Sequence, residues 1–390
     1  MNARERFLSV MNFEKEARTL FWEMGYWTDT IERWYQEGLP RQQDVTIGLK
    51  PGESIRGEHA THDEFSIERR RDIDVHHYFR FDQGMLCLPV NSLLQPPFEN
   101  KIFEETEDYV IFQDDYGVKK KTNKRVASRP QFLEWPAQDR KSFENIKERL
   151  KPLLKDRVPP NWKELLKKYA ERDYPLTIGG YPCGFYGTLR FLMGEERLLF
   201  NFYDDSMFVR DFMDYVADFW IQLWGEVFSE IKFDCVYFWE DMAYRSGPLI
   251  SPQMFREFML LPYQRITSFL KEMGVKVILV DTDGNVEKLI PLFIESGITG
   301  LYPFEVQAGN DIVSIRKKYP RLQIMGGIDK MKIAQGKEAI DEELNSKVPF
   351  VLKSGGYIPH IDHNVHPDIS WEDFKYYRNR LDEMILEGGK

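Results

Sequence analysis

Lys276-Val-Ile-Leu-Val-Asp-Thr-Asp-Gly-Asn285 is the stretch whose reading decides the fold. Val277 to Val280 form a short, continuous, largely β-branched apolar run, the composition of a strand covered on both faces, as in a parallel sheet. The run stops at Asp281-Thr282-Asp283-Gly284. Residues two apart on a strand point the same way, so Asp281 and Asp283 would share a side if the extended backbone continues. Two carboxylates so placed raise each other's pKa unless a cation or a proton separates them. The plainer alternative is that one of them caps a helix beginning near Asn285.

Working outward, strands and helices alternate with a regular beat from Pro175 onward. Strands are expected at 176–180, 235–239, 277–281, 300–304, 323–327 and 357–360, with helices over 186–231, 252–273, from Ile312, from Lys337 and from Trp371. Before them, Thr19-Leu-Phe-Trp-Glu-Met-Gly25 and Asp74-Val-His-His-Tyr-Phe-Arg-Phe-Asp82 read as two further strands. Residues 26–72 read as helix and loop, punctuated at Gly38-Leu-Pro40 and Pro51-Gly52, and residues 137–172 as helix interrupted by Pro159-Pro160. Residues 101–129 depart from this alternation. There Glu107-Asp-Tyr-Val-Ile-Phe-Gln, a turn at Asp114-Asp-Tyr-Gly117 and Val118-Lys-Lys-Lys121 make an antiparallel hairpin pattern. Strands alternating with helices mean βαβ units on a parallel sheet. About eight such strands close a (β/α)8 TIM barrel. A doubly wound sheet would announce itself with a Gly-rich first turn, and none is present. The expected architecture is therefore α/β, one TIM-barrel domain over residues 1–390 with a β-hairpin insertion near 101–129.

Composition excludes several classes of function. Apolar residues make up 42% and charged residues 30%, the balance of a globular chain. A net charge of -10 disfavours nucleic acid and anionic membrane as partners. Arg69-Arg-Arg71 and Lys119-Lys-Lys121 are short runs that read as solvated faces. No apolar run reaches the length of a membrane span, and Met1-Asn-Ala-Arg-Glu-Arg6 is not the start of a secretory signal. Cys87, Cys183 and Cys235 are isolated from one another and odd in number, as in a reduced cytoplasmic protein. Cys183 follows a strand with no base beside it, which argues against a nucleophile.

In a barrel the chemistry sits where the strands finish. Those positions hold Glu23, Tyr181, Glu240-Asp241, Asp281 and Asp283, Glu305, Asp329-Lys330 and His360-Ile-Asp-His363. Helix capping accounts for some of these acids. It does not explain why Glu240, Asp281, Asp283 and His363 come from different strands. Oxygen and nitrogen donors from separate strands suit a divalent cation, and a histidine among them favours zinc over magnesium. Asp281, Asp283 and His363 are the candidate metal ligands, with Glu240 a further ligand or the acid–base group and Asp283 shared between both roles. Trp22, Tyr181 and Trp239 would line the pocket. Glu23, Glu305, Lys330 and His360 would contact substrate, and Arg190 would clamp a substrate carboxylate or pair with Glu195 or Glu196. For His360, His363 and His366 the plain alternative is an ordinary loop histidine.

With these segments placed, the chain resembles the uroporphyrinogen decarboxylase and methylcobamide:corrinoid methyltransferase superfamily. The resemblance rests on Ile178-Gly-Gly-Tyr-Pro182, Gly187-Thr-Leu-Arg190, Glu240-Asp-Met242, Gly247-Pro-Leu-Ile-Ser-Pro252, Leu261-Pro-Tyr-Gln264, Val280-Asp-Thr-Asp-Gly-Asn285, Gly326-Gly-Ile-Asp-Lys330 and Gly356-Tyr-Ile358. It runs from about residue 175 to the end and implies a (β/α)8 barrel. The decarboxylases carry an arginine-rich motif after the first strand, where this chain has Phe21-Trp-Glu-Met-Gly-Tyr-Trp27, so a poly-carboxylate tetrapyrrole is disfavoured as substrate. The methyltransferases carry a zinc held by His-x-Cys and a further Cys. The corresponding places look like Asp281-x-Asp283 and His363, harder ligands better suited to an oxygen-bearing substrate than to a thiol. The expectation is a corrinoid-dependent methyltransferase acting on a small methoxylated substrate, with the corrinoid supplied by a partner protein. A cofactor-free decarboxylase and a non-catalytic ligand-binding barrel are the alternatives.

Overall fold

The computed structural model describes residues 1–14, 18–41, 72–124 and 130–388. The Pro51-Gly52 punctuation and the Arg69–Arg71 run lie outside them. In chain order the strands are β1 (Leu86–Cys87), the antiparallel set β2 (Lys101–Glu105), β3 (Tyr109–Gln113), β4 (Lys119–Asn123) and β5 (Gln131–Glu134), then β6 (Leu176–Gly179) and β7 (Cys235–Trp239). A small hairpin follows, β8 (Ala243–Tyr244) and β9 (Gly247–Pro248), then β10 (Ile278–Asp281), β11 (Gly300–Tyr302), β12 (Gln323–Met325) and β13 (Tyr357–Ile358). β1, β6, β7, β10, β11, β12 and β13 pair side by side, all parallel, in a 7-stranded sheet.

Alternation along the strands explains why this sheet curls around a core of its own. On β10, Ile278 and Val280 pack outward among the helices, while Val277 and Leu279 join Cys235 and Tyr237 of β7, Tyr302 of β11, Met325 of β12 and Ile358 of β13 in a separate inner cluster. Trp22, Met24 and Leu20 belong to that inner cluster too. Asp281 and Asp283 carry the same parity as Leu279, so the strand delivers them to the inner side at its C-terminal end. The expected strand is present and ends at Asp281, and the next helix begins at Ile290 rather than near Asn285.

The N-terminal part departs from the reading in two places. Asp74–Asp82 is not a strand: Ile73–Phe79 is a helix ended by Arg80 in the left-handed region (φ 53°). Val75 and Phe79, one helical turn apart, both pack against the Trp34 and Phe374 group, a period of 3.6 that outranks the aromatic composition. The first strand of the sheet is instead Leu86–Cys87, two residues long and without a sequence signal. Thr19–Gly25 is irregular, with one parallel bridge from Tyr26 to Val365. Its bonds nevertheless run to both sheet edges. Thr19 Oγ1 donates to Tyr357 O (2.6 Å), Glu23 Oε1 accepts from Ile361 N (2.7 Å), and Phe21 O accepts from Asp82 N (2.9 Å) near β1.

The insertion is larger than a hairpin. Lys101–Glu134 carries a 4-stranded antiparallel sheet with a buried Lys120–Asp114 ion pair of its own. It meets the body where Tyr116 packs edge-on against Phe191 at 4.9 Å and Lys120 Nζ lies over the same ring. No helix among the described residues is long and apolar enough to cross a membrane.

Candidate functional site

Two groups of charged side chains meet at the C-terminal ends of the parallel strands. The first is built by β10 to β13. His363 Nε2 lies 3.6 Å from Asp283 Oδ2, and both groups are partly exposed. His363 Nδ1 accepts the Asn364 amide at 2.7 Å, so the neutral ring carries its proton on Nε2, facing Asp283. Burial pushes the imidazole pKa down, but the charge and hydrogen bond of Asp283 outweigh that, and the pKa stands above its ordinary 6.5. Beside the pair, Lys330 Nζ lies 3.3 Å from Asp362 Oδ1 and 3.7 Å from Glu305 Oε1. Glu305 Oε2 accepts the Gly284 amide at 2.9 Å, tying the β11 exit to the Asp283 loop. Asp362, missed in the sequence, is fully buried. It accepts from Val306 N (2.8 Å) and Lys330 N (3.3 Å) and so fixes three strand ends together. Burial raises its pKa against the pull of Lys330.

The second group is built by β6 and β7. Arg190 Nη1 donates to Asp241 O (2.6 Å) and pairs with the Asp241 carboxylate, while its Nε lies 2.9 Å from Glu195 Oε2. Of the two roles open to Arg190, the pairing with Glu195 is the one formed. Asp241 holds φ 43°, a costly conformation for a residue with a Cβ, and the arginine bonds to its carbonyl and carboxylate offset that cost. Tyr181 and Trp239 meet edge-on at 4.5 Å, both partly exposed. The β8–β9 hairpin joins the two groups: Asn285 N donates to Tyr244 O (2.9 Å), Met242 N to Thr282 Oγ1 (3.1 Å) and Tyr244 OH to Glu195 Oε1 (2.6 Å).

Four sequence-derived candidates have other work. Glu240 is fully buried and accepts the amides of Phe185 (2.8 Å) and Gly187 (2.7 Å) and the Tyr263 hydroxyl. Those amides open the helix Phe185–Met193, whose N-cap is Gly184 and has no side chain to satisfy them. Glu240 is thus a remote helix cap and not an open acid–base group. Burial lifts its pKa to about 7, with the Tyr263 and backbone bonds pulling the other way. Glu23 is likewise buried, its pKa raised to about 7 by desolvation against Arg378, and it binds Ile361 N, Tyr377 OH (3.1 Å) and Arg378 (3.4 Å). Trp22 is buried in the inner core, edge-on to His360 at 5.1 Å. His360 is fully buried, its Nδ1 2.6 Å from Ile361 O, and desolvation drops its pKa to about 3, so it stays neutral. Cys183 is buried and its thiol pKa is pushed up, the opposite of an activated nucleophile.

A structural or catalytic zinc takes at least three protein donors converging on one point. Among the described residues no three His, Cys, Asp or Glu side chains converge in that way. Asp283 and His363 come together, but Asp281 does not complete a trio with them. It lies nearly buried below, its carbonyl accepting from Glu240 N (2.8 Å). The donor set does not fit the expected metal, and no chemical step is derived through one.

Residues 148–384, which take in β6 to β13 and so both charged groups, match the uroporphyrinogen decarboxylase (URO-D) family. The chain belongs to that family. Among solved structures, a methyltransferase from Methanosarcina mazei superposes with a TM-score of 0.54 at 14% identity, covering 92% of this chain and 99% of that one. That likeness is one of fold. A dehydratase candidate from Mesorhizobium loti reaches a TM-score of only 0.26 at 13% identity, over 73% of this chain and 77% of that one, and carries no argument. No curated protein matches the chain in sequence.

Proposed function

We propose that this URO-D family chain is an enzyme that delivers a proton from the Asp283–His363 pair to the anion left when a group departs from a small, oxygen-bearing substrate. The observation that carries the reading is the pair itself: an imidazole and a carboxylate 3.6 Å apart, partly exposed, at the exit of two strands. In the neutral ring the proton sits on Nε2 because Nδ1 is engaged by the Asn364 amide. The proton delivered is the further one that the pair takes up below the raised pKa of His363, and its departure leaves a neutral imidazole beside an ionised carboxylate. Lys330 stands close enough to favour negative charge as it develops. The segment 19–27, in this reading, is the eighth stave that completes the barrel wall between β13 and β1.

The departing group we favour is methyl. A methoxylated substrate would give up its methyl to a corrinoid carried by a partner protein: the carbon–oxygen bond breaks, its electron pair stays on oxygen, and the proton held between Nε2 and Oδ2 neutralises the oxyanion. Tyr181 and Trp239 supply an aromatic wall for such a substrate. A second reading, decarboxylation with the same pair protonating a carbanion, is favoured by the family match. Neither reading suits a poly-carboxylate. The mouth holds Asp241, Glu195, Asp283 and Glu305 against Arg190 and Lys330, and both cations are already paired, Lys330 also with the buried Asp362.

The test is turnover of methoxy-arenes with reduced cobalamin as acceptor, run beside carbon dioxide release from the matching carboxylates. Methyl-cobalamin formation that His363→Gln abolishes supports the first reading, and carbon dioxide release lost in the same variant supports the second. Activity of either kind that survives His363→Gln unchanged overturns both.

A further inference from the structure

We infer that Asn310 is a positioning residue for the site: its buried side-chain amide clamps the loop after β10 to the loop after β11 and so holds Asp283 and Glu305 in place around His363. This role deepens the proposed function and rests on the proton-delivery reading. Asn310 is 3% exposed and stands just ahead of Asp311, whose own carboxylate caps the helix Ile312–Lys318. Its Nδ2 has two hydrogens and gives them to two carbonyls, Gly284 O and Glu305 O, each at 2.8 Å. Its Oδ1 accepts from Val286 N at 3.1 Å. Among the described residues these are the side chain's hydrogen bonds, and all go to the two loops rather than to a helix end or a sheet ladder.

The clamp acts next to the reacting pair. Gly284 directly follows Asp283, and its amide donates to Glu305 Oε2 at 2.9 Å. Gly284 is thus held at its N–H by the Glu305 carboxylate and at its carbonyl by Asn310, while Asn310 also holds the Glu305 carbonyl. On the strand side of Asp283, Thr282 N donates to Tyr302 O at 3.1 Å. Both chain neighbours of Asp283 are therefore fixed, and its carboxylate meets His363 Nε2 at 3.6 Å. His363 also faces Glu305 and Lys330, and its own segment brings Asp362 and the neutral His360. Of these groups Asp283 and Glu305 favour the imidazolium and Lys330 opposes it. The two carboxylates that favour it are the two whose loops Asn310 ties together. A side chain of the same shape without the amide would fill the space and release both carbonyls.

The test reads His363 directly. Asn310→Leu keeps nearly the same shape and removes all three bonds, and Asn310→Ala removes the volume as well. The His363 ring carbons are followed by NMR against pH in the full chain, in both variants, in Asp283→Asn and in Asp283→Asn/Asn310→Leu, with turnover and melting temperature recorded on each. The midpoint is expected above 6.5 in the wild type and to fall toward 6.5 in either Asn310 variant. It should move less when Asn310→Leu is added to Asp283→Asn than when it is made alone, because the carboxylate being positioned is then already neutral. Turnover should drop at least about tenfold in kcat with KM nearly unchanged, the mark of a displaced catalytic group rather than of lost binding. A midpoint unchanged in a folded Asn310 variant, an equal shift with and without Asp283, or failure of both variants to fold overturns the positioning role. A midpoint that falls as expected while turnover ignores His363→Gln would instead overturn the proton-delivery reading and leave the clamp standing.

Discussion

At the scale of single residues, the pair of His363 and Asp283 makes opposite demands on one ring. Asp283 favours the imidazolium, while the Asn364 amide at Nδ1 requires a lone pair there. Because the folded pKa lies above 6.5, the charged pair is fully formed below that pH and is lost as pH rises through the folded value. If the pair is the proton donor, the rate should fall along the same limb. Asp283→Asn should move the limb to lower pH and cut turnover by about 10²–10⁴. Following the His363 ring carbons by NMR checks the pKa independently of activity, and a limb that stays in place after Asp283→Asn sinks the assignment. The sequence showed which residues stand at strand exits, because period two along a β-branched run fixes the side they leave from. It did not show how deep each sits. Glu240 and Asp241 are neighbours, yet one is sealed beneath a helix and the other pairs with Arg190 at the mouth.

At the scale of elements, the site depends on close backbone approaches that only glycine permits. Gly284 holds φ 77° and touches Ala243 and Tyr244, so Gly284→Ala would strain the loop and push the hairpin away from Asp283. The expected result is a loss of about 1–3 kcal/mol in stability and a larger loss of activity than of fold, read by urea titration beside turnover. Glu240→Gln should be costly for a different reason. An amide presents its NH2 to the Phe185 or Gly187 amide, leaving a buried donor facing a donor, a penalty of about 1–3 kcal/mol. A melting temperature unchanged by Glu240→Gln would show that the helix Phe185–Met193 does not need its remote cap. A signal for this role was present in the sequence: Gly184, at the start of an apolar helix, cannot cap it, so some other acceptor had to come from a neighbouring strand. From residue 176 onward the expected helix over 186–231 is three, Phe185–Met193, Glu195–Asp204 and Ser206–Glu230, and the β8–β9 hairpin had no signal. The strands of the parallel sheet were legible because each sits in an apolar stretch bounded by turn residues. Leu86–Cys87 and Thr19–Gly25 were not, since both owe their place to partners far along the chain and carry little local pattern.

At the scale of the whole molecule, the N-terminal segment and the C-terminal helix Trp371–Gly388 are joined by aromatic packing of Trp34 on Trp371 and Phe374 and by a buried polar contact centred on Arg378. Arg378 Nη1 reaches Trp22 O at 3.2 Å and Glu23 Oε2 at 3.4 Å, and its Nη2 pairs with Asp382 at 2.6 Å. Glu23 in turn holds the Ile361 amide beyond β13. Removing Arg378 therefore strips the only cation bonded to Glu23 among the described residues and leaves its carboxyl buried beside apolar core. Arg378→Met should cost about 3–5 kcal/mol, whereas Glu23→Gln/Arg378→Met together should cost less than Arg378→Met alone, since the part-exposed Asp382 is then the one carboxylate bonded by Arg378 that loses its partner. The pH dependence has a definite sign. Folding raises the Glu23 pKa from 4.5 to about 7, so the folded state binds the proton more tightly and its stability declines as pH rises from 4.5 to about 7, then levels. In Arg378→Met the folded pKa rises further, so the decline should continue to higher pH. Urea midpoints measured across that range check both claims. A pH profile that superposes on the wild type after Arg378→Met would mean that Glu23 is satisfied by Ile361 and Tyr377 alone, and that the two ends of the chain are fastened by packing of the Trp34, Trp371 and Phe374 cluster rather than by charge.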